Sequence, residues 1–229
     1  MSTPERKRRL SWLAWLAASI LAVGLVAGAF WLDGPVREAV VAGQGKGWKR
    51  GPEARFHGMV RKAGDWPWLM AAGGAGLLVA WRLGRRRAMR IIAAAMVAST
   101  IAGIVANASR LTTGRTRPRA GSEIVQGFYG LWHEGRLLVG DSKYNSFPSG
   151  HTATAFGFAL PFVLAHPAGG LPVLAAAIVV AWSSIALGAH HVSDVVVSVV
   201  IALGVAWPTW RFFQGRGVLW LDRWLPPRR

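Results

Sequence analysis

Apolar runs of about twenty residues, separated by clusters of arginine, dominate this chain. A run of about 18 or more apolar residues crosses the roughly 30 Å hydrocarbon core of a bilayer as a helix. The chain therefore reads as an integral membrane protein. It is 52% hydrophobic, yet its formal charge is +17. A nucleic-acid binder needs solvated polar surface around its basic patch, so that partner is excluded. Arginines bordering apolar runs instead suit anionic head groups and the positive-inside rule. Cysteine is absent, which removes thiolate nucleophiles, disulfides and cysteine–zinc sites.

The runs predict an all-α bundle of six membrane-spanning helices in one domain, residues 1–229, with its site at one membrane face. The spans are 10–32, 66–81, 89–109, 149–166, 171–187 and 192–210. The first follows Arg6-Lys7-Arg8-Arg9. Small residues at Ala27-Gly28-Ala29 offer a rival reading as a cleaved leader, but the apolar stretch is longer than a leader's core. Residues 33–65 are polar, Gly-rich and basic, with a short helix expected after Pro52. Pro167 to Gly170 is expected as a tight turn, and the tail after span six is basic. Trp12, Trp31, Trp66, Trp68, Trp81, Trp207 and Trp210 fall near run ends, as an interfacial belt would place them, whereas Trp182 sits mid-run. Gly73, Gly74 and Gly76 either admit a neighbouring helix or are simply tolerated in lipid. The clusters at 6–9, 82–90 and the tail share one side in this topology, and the dominance of the first helix assigns that side to the cytoplasm.

Three segments carry the chemistry. The loop after span three opens Arg110-Leu-Thr-Thr-Gly-Arg115-Thr-Arg117-Pro118. Span four opens Pro148-Ser149-Gly150-His151. Span five leads into Ser183-Ser184 and then His190-His191-Val-Ser-Asp194. One loop joins the first two, and two crossings separate His151 from His190, so all three meet at one rim. Arg110, Arg115 and Arg117 offer forked donors for phosphate oxygens. Ser149 is suited to cap a helix whose first amides, at Gly150 and His151, form an anion site. His190 and Asp194 are four apart and share a helix face. A carboxylate on one imidazole nitrogen fixes the tautomer and leaves the other as nucleophile, with His151 as the acid. His57, His133, His166 and His191 lack such company and read as structural.

These segments resemble the type 2 phosphatidic acid phosphatase family, whose motifs are Lys-x6-Arg-Pro, Pro-Ser-Gly-His and Ser-Arg-x5-His-x3-Asp. Residues 110–118, 148–151 and 183–194 match in order and spacing. The resemblance implies attack by His190, orientation by Asp194, acid catalysis by His151 and phosphate binding by the remaining motif positions, Ser184 among them. It implies no metal or other cofactor, a lipid phosphate substrate and a site at the outer face of a bacterial inner membrane. Undecaprenyl diphosphate, phosphatidylglycerol phosphate, phosphatidic acid and lipid A phosphate are the implied candidates. Membrane lipids are the other partners, and no obligate protein partner is inferred.

Two positions depart from the family. Arg110 stands for its lysine, and Ser184 for a phosphate-binding arginine. Either Arg115 fills the place at 184, or the cradle is weaker there. A weakened cradle leaves open a second reading, a lipid-phosphate-binding protein with little turnover. A metal hydrolase built on His151, His190 and Asp194 is a third, and His191 alone could extend its ligand set.

Overall fold

The computed structural model of the protein describes residues 3–45, 48, 51–120 and 123–214. The basic tail after residue 214 and the side chains of residues 6–9 lie outside the described residues. The fold is mostly helical. In chain order the helices are α1 (Thr3–Gly43), α2 (Pro52–Ala63), α3 (Trp66–Arg82), α4 (Arg86–Thr113), α5 (Gly150–Ala165), α6 (Pro167–Ala186) and α7 (Val192–Gln214). Between α4 and α5 a small antiparallel hairpin pairs β1 (Trp132–His133) with β2 (Arg136–Leu137).

Four segments are long and apolar enough to cross a membrane: Trp12–Gly43, Arg86–Thr113, Pro167–Ala186 and Val192–Gln214. Each of the six sequence-predicted spans has a helix, but α5 has 16 residues and α3 has 17, so length and composition by themselves single out four of the six as spans. The reason for the short α5 lies in its surroundings. It is the central helix, packed on α4, α6 and α7. Its residues 152–161 are buried without a break, which explains why it is apolar on every side. Small residues let α4 lie against it. A Cβ at Gly157 would stand 2.9 Å from the Ala98 carbonyl oxygen, and Ala94, Ala95, Ala98, Ala102 and Ala106 line α4's buried side. Gly73 likewise meets Met96 of α4, whereas Gly74 faces open space.

Two expected breaks are absent. Helix α1 does not stop near Leu32 but continues through Asp33-Gly34-Pro35 to Gly43. Tertiary contacts override the local stop signal: Val36 and Val40 pack on the core, Arg37 Nε donates to the Pro118 carbonyl (3.2 Å), and Gln44 Nε2 donates to that of Ala186 (2.7 Å). The turn expected at Pro167–Gly170 is the first turn of α6. His166 caps it by accepting from the Gly169 amide at 2.8 Å, and Pro167 is pre-set for the first helical position. The tryptophan belt also needs correction. Six of the seven are exposed as expected, but Trp210 is buried beside Ala94 and Phe213, and mid-run Trp182 is exposed.

Candidate active site

His190 lies on the turn between α6 and α7 and is fully buried. Its Nδ1 sits 2.7 Å from the Ser146 carbonyl oxygen, which can only accept, so Nδ1 carries the proton. Nε2 is therefore the ring nitrogen left without a proton. The Asp194 carboxylate is farther, at 3.6 Å from Nδ1, beyond a good hydrogen bond. Orientation of the ring thus falls to a main-chain carbonyl, and Asp194 contributes negative charge. Burial pushes the His190 imidazole below its ordinary range, against the opposing pull of Asp194 and the Ser146 carbonyl.

Asp194 is in turn the hub of a buried network. Its Oδ2 accepts from the Ser146 hydroxyl (2.5 Å) and the His191 amide (2.7 Å), and its Oδ1 from Arg115 (2.5 Å). The other Arg115 nitrogen donates to Asp33 of α1 at 2.6 Å. Asp33 also accepts from the amide and hydroxyl of Ser193. The Arg115 guanidinium is enclosed by the rings of Phe30, Phe128 and Phe147, whose centroids lie 4.7–5.5 Å away. Arg115 is therefore clamped between two carboxylates behind His190. It does not fill the place of the phosphate-binding arginine missing at 184.

His151 opens α5 after the expected cap: the Ser149 hydroxyl accepts from the Thr152 amide. Gly150 abuts Asn107 of α4, where a Cβ would stand 3.2 Å from Oδ1. The His151 Nε2 donates to Asp65 Oδ1 at 2.7 Å, so a second imidazole–carboxylate pair stands beside the first. The charges of Arg61, Arg110, Arg117 and His190 all reach the His151 ring. Arg110 ends α4 and Arg117 lies in the following loop; the buried Nε of each has no partner among the described residues. Burial, then the guanidinium groups of Arg119, Arg61 and Arg110, push Arg117 down to about 10.

Ser184 is fully buried, and its hydroxyl donates back to the Val180 carbonyl of its own helix at 3.1 Å. That bond commits its one hydroxyl proton to α6 itself. His57 and His191 have structural bonds: His57 Nδ1 meets the Ser183 hydroxyl at 3.0 Å, and His191 Nε2 meets the Thr116 carbonyl at 3.2 Å. Asp33, Arg61, Asp65 and Arg119 are neighbours that motif reading missed. One signal was available. The chain has only 10 acidic residues against 27 basic ones, so a carboxylate at the edge of an apolar span, such as Asp33 or Asp65, stands out.

Residues 87–217 match the sequence pattern of the PAP2 superfamily, more than half of the chain. The chain belongs to the PAP2 superfamily. The PAP2 region contains Arg110, Arg117, His151, His190 and Asp194, while α1 to α3 bring Asp33, Arg61 and Asp65 from outside it. Two relatives are each named lipid A 1-phosphatase. One, from Rhizobium johnstonii, is 32% identical over 108 residues, covering 47% of this chain and 39% of the relative. The other, from Rhizobium etli, is 32% identical over 94 residues, covering 41% of this chain and 38% of the relative. The match thus spans about two fifths of each relative's length. No solved structure matches the chain significantly.

Proposed function

We propose that this protein is a six-span enzyme of the bacterial inner membrane that hydrolyses a lipid phosphomonoester or diphosphate at the periplasmic face. In this reading α1 and α3 to α7 cross the bilayer, and the basic turn at 82–90 stays cytoplasmic. The carrying observation is the His190–Ser146 bond at 2.7 Å, which leaves Nε2 free to attack beside buried cations. Arg110 and Arg117 hold the phosphoryl oxygens, aided by the amides and dipole at the start of α5. His190 Nε2 forms a bond to phosphorus as the bond to the lipid oxygen breaks, and His151 protonates that oxygen. Water then attacks the phosphohistidine and gives its proton to His151, releasing inorganic phosphate and Nε2. No metal takes part in these steps.

The relatives named lipid A 1-phosphatase support a lipid A type phosphate as one candidate substrate, beside undecaprenyl diphosphate, phosphatidylglycerol phosphate and phosphatidic acid. A lipid-phosphate-binding protein with little turnover is the second reading, favoured by one observation: the Ser184 hydroxyl is turned into its own helix. Phosphate release from a panel of these four lipids by purified protein in detergent, with chelator present, separates the two. Turnover of at least one lipid supports the enzyme. No release from any of them supports the binding protein.

A further inference from the structure

Helix α2 belongs to none of the three motifs and lies outside the PAP2 region, yet it and the two residues after it are fastened to the site at several points. His57 bonds Ser183 of α6, the neighbour of Ser184, at 3.0 Å. The Gly64 carbonyl accepts from the Thr154 hydroxyl of α5 at 2.6 Å. A Cβ on Gly64 would stand 2.5 Å from Val180 Cγ1 and 3.3 Å from the His151 carbonyl oxygen, so α2 ends in direct contact with both α5 and α6. Asp65 then holds His151 at 2.7 Å.

Arg61 is one turn beyond His57 and one turn before Asp65. It therefore shares the face of α2 that meets Ser183, the neighbour of Ser184. We infer that Arg61 is a phosphate-binding residue, a cation delivered to the site from α2 where α6 offers only the buried Ser184 hydroxyl. Its ligand is the phosphoryl group of the substrate, shared with Arg110 and Arg117. The inference rests on the phosphatase reading above.

The electrostatics agree with this placement. Burial and the Arg119 charge push Arg61 below the ordinary guanidinium range, with Asp65 opposing them. Arg61 also acts on Arg117 and on the His151 ring. The guanidinium groups of Arg61, Arg110, Arg117 and Arg119 repel one another, and a phosphate dianion relieves that repulsion. Arg61 thus restores from α2 a charge that position 184 lacks.

Orthovanadate affinity and hydrolysis of dioctanoyl phosphatidic acid, measured on full-length wild type, Arg61→Gln and Arg61→Lys in detergent, test this directly. Removing one charge-stabilising donor typically costs about a hundredfold in rate. Arg61→Gln is expected to lower kcat/KM by about that factor and weaken vanadate binding at least tenfold, with an unchanged melting temperature. Arg61→Lys should recover part of both, because it keeps charge without the fork. Wild-type vanadate affinity and kcat/KM in Arg61→Gln would overturn the inference. So would a lowered melting temperature with vanadate affinity intact, which marks a purely structural role. Vanadate binding needs no turnover, so a wild type that releases no phosphate from any of the four candidate lipids defeats the phosphatase reading while the affinities still decide Arg61.

Discussion

His190 gives its Nδ1 proton to the Ser146 carbonyl at 2.7 Å, while Asp194, four residues on, stands 3.6 Å from the same nitrogen. The tautomer is therefore fixed by main chain, which no side-chain substitution removes. Asp194→Asn is expected to keep the ring in place and to slow kcat by about a hundredfold through loss of charge. Steady-state kinetics on the best lipid substrate check this. Complete loss of turnover would instead make Asp194 the residue that orients the ring.

Arg115 is held by Asp33 at 2.6 Å and by Asp194 at 2.5 Å, both buried. Its removal leaves two buried carboxylates without their cation. Breaking a buried pair from one side costs about 3–5 kcal/mol. Arg115→Ala should therefore melt well below Arg117→Ala in detergent. Thermal unfolding of the two variants side by side gives the answer, and equal melting temperatures would contradict it.

Ser184 is fully buried where α2 closes against α6. An arginine there must bury a charge or push α2 away. Ser184→Arg is expected to lower both the melting temperature and kcat/KM, the latter at least about tenfold. Increased kcat in this variant would mean that the space beside Ser184 is open to the phosphate.

The pH profile follows from two displaced groups. As the proposed nucleophile His190 must be neutral, and burial holds it below its ordinary value of about 6.5. Protonation therefore sets in only as pH falls below about 6.5, and the acid limb of kcat/KM should lie there. Arg117, pushed to about 10, loses its charge as pH rises through that value, which gives the alkaline limb. Arg117→Gln should show a lower plateau without the alkaline limb. Activity of wild type and Arg117→Gln across this range tests both assignments.

The parts of the site that sequence discloses are those set by short spacing. His190 and Asp194 are one helical turn apart, and Ser149 caps the helix that His151 begins, so each relationship exists within a few residues. Arg115 could not be placed that way. Its position depends on Asp33, 82 residues away, and on three phenylalanines from separate segments. Asp65 and Arg61 were hidden for the same reason, since only the docking of α2 on α5 and α6 brings them to His151. The end of α1 was misleading because Asp33-Gly34-Pro35 looks like a stop locally. Contacts from Arg37 and Gln44 carry the helix past it.

Trapping a phosphorylated intermediate is the test of the proposed covalent catalysis by His190. Purified wild type and His190→Ala are mixed with a lipid phosphate carrying radiolabelled phosphorus at the scissile group, then quenched in alkali within the first turnover. A phosphoryl group on the His190 Nε2 is stable to alkali and labile to acid, and the wild type should carry it. His190→Ala should carry none and release no phosphate. Undiminished phosphate release by His190→Ala would rule out His190 as the nucleophile.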